Sequence, residues 1–272
     1  MPEGPEIQLA ADEVLAALGG RPTTSVFFAF DRLKPFEPLL TGQTVETAQA
    51  RGKAMLIRFA NGFNIYSHNQ LYGKWIIRRA HDYPDTGRQL RLAIHNLRNS
   101  ALLYSASDIE VLRNDELESH PFLSKLGPNP LDATVTASQI QDRLLDPTFR
   151  RRRLTSLLLD QGFLAGTGNY LRSEILFTAR THPSLRPADC SPTQIEQLAE
   201  AAIRLCRQSY QTRGITTDLE LAETLRRQGA SRRQYRFWAF GRDGEPCYKC
   251  GTLIIKDEIG GRRLYFCPSC QR

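Results

Sequence analysis

The sequence predicts an α+β protein with several domains, and three observations support this prediction. Short runs rich in β-branched and aromatic residues fill positions 26–104, helical periodicity follows a proline-rich stretch, and two cysteine pairs close the chain. A chain of 272 residues is long enough for more than one domain. We place the three parts at residues 1–125, 126–234 and 235–272.

The first predicted element is an amphipathic helix over residues 6–18. Apolar side chains recur at helical spacing from Ile7 to Leu18, and a pair of glycines ends the run. Glu3 and Glu6 stand at the N-terminal end, where the helix dipole favours negative charge. We expect this helix to pack against the strands that follow.

Strand signals dominate the rest of the first part. The predicted strands are Val26–Phe30, Thr44–Ala50, Met55–Phe59, Phe63–Ser67, Trp75–Arg79, Leu90–His95 and Ala101–Tyr104. Asn61 and Gly62 form a hairpin signal between two of them. About seven short strands within ~80 residues indicate a β-sandwich or a barrel.

A linker and a helical part come next. The segment His120–Leu131 contains three prolines and one glycine, which is typical of a linker. The predicted helices beyond it are Ala137–Leu145, Leu154–Asp160, Tyr170–Phe177 and Thr193–Tyr210. Residues 211–234 are polar and rich in arginine, and the pattern assigns no element to them.

The charge balance favours a polyanionic partner without establishing one. The formal net charge is +7 and the isoelectric point is near 9.2. A solvated basic face would explain the arginine clusters equally well. No apolar run approaches the ~18 residues of a membrane span, and the first residues do not resemble a secretion signal, so a cytosolic protein is expected.

The cysteine pairs near the C-terminus predict a metal site. Cys247 and Cys250 form one C-x-x-C pair, Cys267 and Cys270 form the other, and 16 residues separate the pairs. This is the spacing of a zinc ribbon, in which four thiolates complete a tetrahedron. We therefore expect one structural zinc ion, with four unliganded thiols as the alternative.

The N-terminus suggests a nucleophile. Removal of Met1 would leave Pro2 with a free secondary amine, which can attack an electrophilic carbon and form an iminium ion. Glu3 is adjacent and could act as a general acid. The alternative is that Pro2 and Pro5 only open a helix, where proline is common.

A glycine turn in the helical part suggests an anion site. The run LLDQGFLAGTGNYLRSEIL, residues 158–176, indicates a helix, a turn and a second helix. The backbone N–H groups after the glycines could bind a phosphate, and Asn169 could add a side-chain donor. Asn169 could equally be an ordinary helix N-cap.

In combination, these motifs resemble the formamidopyrimidine-DNA glycosylase and endonuclease VIII family. The resemblance covers the whole chain in the same order. It includes MPEGPE, the Arg51–Lys53 turn, Gly127-Pro128, the helix-turn-helix run and the motif DGEPCYKCG…FCPSC. It implies an N-terminal β-sandwich with a flanking helix, a helix-two-turn-helix domain and a C-terminal zinc-ribbon finger.

The resemblance also implies catalytic roles. Pro2 would attack C1′ of the damaged nucleotide, and Glu3 would protonate the sugar ring oxygen. Lys53 would transfer protons or stabilise phosphate charge during β-elimination. Arg262 matches the zinc-finger arginine linked to the last elimination, with Arg263 as a one-residue alternative.

The DNA-binding positions follow in the same way. Gln70 and Asn169 match DNA-contacting positions, while Leu71 and Tyr72 would join Gln70 in filling the space left by an extruded base. Lys125 stands where the family pattern predicts arginine, so its phosphate contact would lose bidentate geometry. The alternative for Leu71 and Tyr72 is a place on a sheet edge.

The function implied is base-excision repair by a bifunctional DNA glycosylase and AP lyase acting on damaged double-stranded DNA. The loop at residues 70–72 resembles the endonuclease VIII branch and predicts oxidised pyrimidines as the main substrates, with β,δ-elimination. The alternatives are an oxidised-purine (8-oxoguanine) glycosylase of the same family and a non-catalytic zinc-ribbon protein that binds DNA. A tautomerase that uses its N-terminal proline would need no cysteine pairs. We expect a monomer without a membrane partner, in the bacterial cytoplasm and associated with the nucleoid through DNA.

Overall fold

The computed structural model describes residues 2–272, and the chain divides into two compact units. The first unit is Met1–Lys125 and the second is Leu126–Arg272. The further division of the second unit into a helical domain and a finger stays a prediction.

The N-terminal unit contains one long helix and eight strands among its described residues. Helix α1 is Gly4–Leu18, and a 3₁₀ helix at Asp31–Phe36 leads into the short helix α2 at Glu37–Leu40. The strands are β1 Ser25–Phe28, β2 Val45–Arg51, β3 Ala54–Phe59, β4 Phe63–His68, β5 Lys74–Arg79, β6 Leu90–His95, β7 Asn99–Tyr104 and β8 Asp108–Arg113.

These strands form a sandwich of two antiparallel sheets. One sheet has the order β1-β6-β7-β5 and the other has the order β2-β3-β4-β8. Phe28 and Leu92 from the first sheet share one core with Phe59 and Ile65 from the second. Helix α1 joins this core through residues that recur at helical spacing, including the buried Val14. The predicted sandwich with a flanking helix is therefore confirmed, and the barrel alternative is wrong.

Two features of the sheets differ from the sequence prediction. Strand β8 was not predicted, because charged residues alternate with Ile109 and Val111 and obscure its apolar face. It pairs with β4 in antiparallel register, opposite Phe63–His68. Strand β1 ends at Phe28 instead of Phe30, because the 3₁₀ helix begins directly after Phe30.

The C-terminal unit is mainly helical and ends in a hairpin. Its helices are α3 Ala137–Leu145, α4 Leu154–Leu157, α5 Asn169–Thr178, α6 Pro192–Gln211, α7 Leu219–Arg227 and α8 Arg232–Arg236. Strands β9 Ile255–Ile259 and β10 Arg262–Phe266 pair antiparallel. Helices α3, α5 and α6 share one apolar core, to which Leu264 of the hairpin contributes.

The predicted helix Leu154–Asp160 is too long. Helix α4 ends at Leu157, and the carboxylate of Asp160 instead accepts the Gly162 N–H at 2.8 Å and the Arg152 guanidinium at 2.7 Å. The unassigned stretch 211–234 contains α7 and the start of α8. Among the described residues, no helix combines the length and the apolar character that a membrane crossing requires.

Candidate active site and nucleic-acid interface

The start of helix α1 holds the first two predicted catalytic residues. Pro2 is half-buried, and Glu3, only 3% exposed, has an extended backbone and caps the helix. The Glu3 N–H donates to Oε2 of Glu6 at 3.1 Å, and the Ile7 N–H donates to the Glu3 carbonyl at 3.0 Å. A buried glutamate therefore directly follows Pro2 in the chain, at the end of the helix where the dipole favours an anion.

Lys53 is presented by a tight hairpin turn close to this helix. Arg51 pairs with Ala54, so the turn has two residues, and Gly52 adopts a φ of +63° that glycine tolerates best. Lys53 is only 8% exposed. The turn is held near the start of α1 because Gln8 Oε1 accepts the Ala50 N–H at 3.0 Å. The structure thus brings Lys53 and the N-terminus into one region of the N-terminal unit.

An ionisable pair that sequence reasoning missed borders Lys53. His68 and Asp108 face each other across β4 and β8. Burial lowers the pKa of His68, Asp108 acts in the opposite direction, and Lys53 lowers that pKa further. Burial also raises the pKa of Asp108. The only signal in the sequence was a histidine at the end of a strand, which is weak by itself.

Residues 69–73, which we call the wedge loop, connect β4 to β5 and carry the predicted space-filling side chains. Leu71 is 61% exposed and Tyr72 is 70% exposed. A Cβ atom at Gly73 would lie 2.6 Å from the Asn69 backbone, so the turn requires glycine at that position. Since β4 ends before the loop and β5 begins after it, Leu71 and Tyr72 do not belong to a sheet edge.

Gln70 is fixed at the base of the wedge loop. Its φ is +49°, a left-handed conformation that is uncommon outside glycine. Its N–H donates to Nδ1 of His68 at 3.0 Å, and the Ser107 hydroxyl donates to Gln70 Oε1 at 3.0 Å. Lys125 lies elsewhere in this unit, exposed at the end of the 3₁₀ turn Leu123–Lys125.

Asn169 begins helix α5 after a turn that Gln161 organises. The Gln161 amide accepts the Gly166 N–H and donates to the Thr167 carbonyl, both at 2.9 Å. Gly168 has an extended backbone and is the N-cap of the helix. Among the described residues, the buried Oδ1 atom of Asn169 has no hydrogen-bond partner. The amide is therefore only partly committed to the protein, as a ligand-binding group would be.

Helix α5 also supports the hairpin that carries Arg262. Arg262 and Arg263 are both exposed at the start of β10. The buried Arg172 of α5 donates to the carbonyl oxygens of Thr155 and Arg263, each at 2.9 Å. Asn169 and Arg262 therefore stand on two directly connected elements.

A second buried residue of α5 anchors the chain that leads into the finger. Glu174 accepts hydrogen bonds from Thr216 Oγ1 at 2.6 Å and from the backbone N–H groups of Trp238, Ala239 and Phe240 at 2.8–2.9 Å. Burial acts to raise the pKa of Glu174, and these four donors act to lower it. Neither Arg172 nor Glu174 was identified from the sequence, because a charged residue within a helix is usually exposed.

The four predicted cysteine ligands converge. The Sγ atoms of Cys247, Cys250, Cys267 and Cys270 all lie within 4.8 Å of one another. The Cys247–Cys270 and Cys250–Cys267 sulfur pairs are 3.9 and 3.5 Å apart. Zinc bound tetrahedrally at about 2.3 Å would place sulfurs about 3.8 Å apart, so the four thiols fit the ion. Hydrogen bonds from Thr252 lower the pKa of Cys250 to about 6, which favours the thiolate.

Family models match nearly the whole chain. The N-terminal domain of formamidopyrimidine-DNA glycosylase matches residues 1–120, and its H2TH domain matches residues 126–220. A zinc finger found in FPG and IleRS matches residues 244–272.

Full-length relatives decide the family. "Endonuclease 8" of Salmonella schwarzengrund (strain CVM19633) is 47% identical over 272 residues, which is 100% of both chains. "Endonuclease 8" of Salmonella typhimurium (strain LT2) is 46% identical over the same length. The chain belongs to the formamidopyrimidine-DNA glycosylase and endonuclease VIII family. Membership confirms the predicted enzyme class, a DNA glycosylase and lyase of base-excision repair, and the single structural zinc.

Solved structures confirm the fold. Lactococcus lactis Fpg (MutM), in a complex with DNA that contains N7-benzyl-Fapy-dG, superposes with a TM-score of 0.82 at 22% identity and covers 100% of both chains. A complex of the same enzyme with DNA that contains an oxidised pyrimidine gives a TM-score of 0.80 at 22% identity, again over 100% of both chains. The predicted order of β-sandwich, helix-two-turn-helix and zinc finger is confirmed.

Proposed function

We propose that this enzyme removes oxidised bases, mainly pyrimidines, from double-stranded DNA and then cuts the strand through a Schiff base on Pro2. One observation carries the proposal. Glu3 and Lys53 are ionisable yet only 3% and 8% exposed, and Gln8 of the helix that follows Pro2 binds the backbone of Ala50 beside the turn that carries Lys53. Ionisable groups are rarely buried this far outside paired or functional sites.

The first chemical step is base removal. The Pro2 nitrogen attacks C1′ of the damaged nucleotide, the bond between C1′ and the base breaks, and the base leaves with that electron pair and takes up the proton that the proline nitrogen loses. Glu3 donates a proton to the sugar ring oxygen, so the ring opens and C1′ and the proline nitrogen form an iminium ion. Glu3 is suited to this role because it directly follows Pro2 in the chain and is held at the start of helix α1, which it caps.

The second chemical step is strand cleavage. The iminium ion withdraws electrons, so a proton leaves C2′ and the 3′ phosphate departs in the β-elimination. Lys53 lies at the tip of a rigid turn, where an ammonium group can transfer a proton or stabilise phosphate charge. Arg262 assists the later δ-elimination, in which the 5′ phosphate departs.

Residues of both units also contact the DNA without taking part in the chemical steps. Leu71 and Tyr72 fill the stack after base extrusion, since both are highly exposed at the tip of a constrained loop. Gln70 contacts the DNA from the base of that loop. Asn169 and Lys125 contact phosphates, which is supported by the helix N-terminus at Asn169 and by the exposure of Lys125.

Borohydride trapping tests the nucleophile. The enzyme should form a covalent cross-link with duplex DNA that contains thymine glycol when sodium borohydride is present, and the mature chain should begin at Pro2. An uncleaved peptide extension on the N-terminus should abolish the cross-link, because the proline nitrogen is then an amide.

The matched control is the same extension after protease cleavage that leaves Pro2 first, which should restore cross-linking. Pro2→Gly should retain weak trapping through a primary amine. An extended enzyme that cross-links at the normal rate would exclude Pro2 as the nucleophile. Retention of Met1 in the active native enzyme would exclude it as well.

The proposed preference for pyrimidines is supported by the wedge loop and by the secondary structure of residues 211–234. Saturated pyrimidines such as thymine glycol have lost planarity, so extruding them costs less than the few kcal/mol of an intact base. An oxidised-purine enzyme would need a longer element over the flipped base. Residues 211–234 are an unsuitable candidate, because Leu219–Arg227 is helical and the Thr216 N–H donates to the Arg236 carbonyl at 2.9 Å.

Single-turnover cleavage of matched duplexes tests this preference under one salt condition. Thymine glycol or dihydrouracil should be removed faster than 8-oxoguanine paired with cytosine. Faster removal of 8-oxoguanine would reverse the substrate assignment and would leave the proline mechanism intact.

The enzyme is further proposed to act as a monomer in the bacterial cytoplasm, bound to the nucleoid. A net charge of +7 supports electrostatic association with DNA. Sedimentation should give the mass of one 30.8 kDa chain, and a dimer at micromolar concentration would contradict the monomer.

A further inference from the structure

Residues 80–89, which we call the strap, connect β5 to β6 across the sheet β1-β6-β7-β5. Strand β7 lies between these two strands, and its register fixes the path of the strap. Ser100 pairs with His95 and Arg78 at one end, while Tyr104 pairs with Leu90 and Lys74 at the other. The strap must therefore return along β7 for about 13 Å, the rise of four strand residues.

The end of the strap that follows β5 is anchored by a polar cluster around the buried His95. The His81 N–H donates to Ser100 Oγ at 2.8 Å, and the same oxygen is hydrogen-bonded to His95 Nδ1 at 2.6 Å. The other ring nitrogen of His95, Nε2, lies 3.1 Å from Tyr83 Oη. The His81 ring stacks on His95 with centroids 4.3 Å apart. His95 is 2% exposed and Ser100 is fully buried, whereas Tyr83 on the strap is 48% exposed.

The other end of the strap, which precedes β6, contacts the wedge loop. The Arg88 guanidinium donates to the backbone carbonyl of Tyr72. The neighbouring Gln89 carbonyl accepts the Ser105 N–H at 2.8 Å, which fixes the strap beside the end of β7. Arg88 is thus the residue through which the strap holds the backbone of Tyr72, which carries one of the two exposed side chains of the loop.

The loop has few other constraints at this point. The Gly73 N–H closes the turn on Asn69, and His68 and Ser107 hold Gln70. These contacts fix the base of the loop. Tyr72, at 70% exposure, stands beyond them and has little packing that could order its backbone.

We infer that Arg88 is a positioning residue for base extrusion, and that the strap transmits the rigidity of the sheet to Tyr72 through it. The inference rests on the proposed role of Leu71 and Tyr72 in filling the DNA stack. A wedge held in its final geometry before binding avoids the loss of loop entropy when it enters the duplex. Arg88 itself touches no reacting atom in this scheme.

Single-turnover kinetics test the inference with two substrates. Arg88→Ala should slow removal of thymine glycol from a duplex by roughly tenfold, the effect of losing a hydrogen bond to a charged group. Borohydride trapping on a single-stranded abasic site should be unchanged, because no stacked partner has to be displaced there. Arg88→Lys should recover part of the duplex rate, since lysine can still donate to one carbonyl.

A double-mutant cycle separates positioning from other roles. If Arg88 acts through Tyr72, the double variant Arg88→Ala/Tyr72→Ala should be no slower than Tyr72→Ala alone. Additive losses would overturn the inference. Arg98→Ala removes the same charge at the far end of the sheet, where Arg98 is exposed, and should leave both rates unchanged.

The remaining outcomes also discriminate. A lower salt dependence of DNA binding in Arg88→Ala, with both substrates slowed alike, would make Arg88 a phosphate contact and overturn the inference. If Tyr72→Ala slows cleavage of the duplex and Arg88→Ala does not, the inference is also overturned, while the proposed function stands. A normal Tyr72→Ala would instead remove the wedge from the proposed function.

Discussion

The buried His95 is surrounded by hydrogen-bonding and stacking partners from the strap and from β7. The ionisable groups that face it are Tyr83 and His81 from the strap, and Ser100 supplies the hydrogen bond from β7. Burial lowers the pKa of His95, and the adjacent His81 lowers it further.

This arrangement predicts a stability that falls in mild acid. The pKa of His95 in the unfolded chain is about 6.5, and the folded value is lower, so the unfolded chain takes up the proton first. The free energy of unfolding of the N-terminal unit should therefore decrease as the pH falls below about 6.5, by up to about 1.4 kcal/mol per pH unit. His95→Gln should remove this part of the slope.

Urea unfolding at pH 7.5 and pH 5.5 would measure the effect through Trp75 fluorescence, in a Trp238→Phe background that leaves one tryptophan. His182→Gln, in the other unit, is the matched control and should keep the slope. An unchanged slope in His95→Gln would contradict the account of the anchor.

At the scale of elements, the strong periodic segments were predictable and the polar ones were not. Helix α6 and strand β6 follow from their apolar patterns. Helix α7 was missed because Ala222 is its only buried residue, although Asp218 caps it by accepting the Leu221 N–H at 3.0 Å. A capping signal before a polar run would have found it.

The candidate site divides in the same way. The cysteine ligands could be predicted because metal chemistry demands that spacing. The roles of Pro2 and Lys53 needed the family resemblance, because one proline and one lysine carry little information alone. The roles of Arg88 and Glu174 could not be predicted from the sequence, because their partners are backbone groups far away in the chain.

Glu174 predicts a large effect from a small substitution. Glu174→Gln should destabilise the C-terminal unit by about 2–4 kcal/mol, because the amide nitrogen would face buried N–H donors. Thermal unfolding with zinc bound measures this. Glu223→Gln, whose exposed carboxylate pairs with Arg226 and Arg227, should cost less than about 1 kcal/mol. Equal effects of the two substitutions would show that the buried contacts of Glu174 are not important.

The hairpin β9–β10 predicts a link between metal and DNA affinity. Cys250→Ser should reduce zinc from one ion per chain to almost none and weaken DNA binding, because Arg262 loses its rigid support. Metal analysis and a binding titration measure both quantities. Cys190→Ser removes a thiol outside the cluster and should change neither. Full DNA affinity in the metal-free Cys250→Ser protein would contradict the structural role of zinc.

At the scale of the whole molecule, charge should govern affinity. If Lys53, Lys125, Arg262 and one or two other residues meet phosphates, about 4–5 charges are neutralised, and log K should fall against log salt with a slope of roughly −4. Lys125→Ala should reduce the slope by about one unit and weaken binding to all sequences alike. Titrations at several salt concentrations measure this, and a flat response would remove the electrostatic part of the mechanism.

Each sheet of the sandwich has two edge strands, and these edges bear on aggregation. Strands β1 and β5 border one sheet, and β2 and β8 border the other. An open edge offers unpaired backbone groups to any passing chain, and charged side chains make such pairing unfavourable. Strand β5 carries Lys74, Arg78 and Arg79, all exposed. These exposed charges therefore oppose edge-to-edge pairing of β5 with a second copy of the chain.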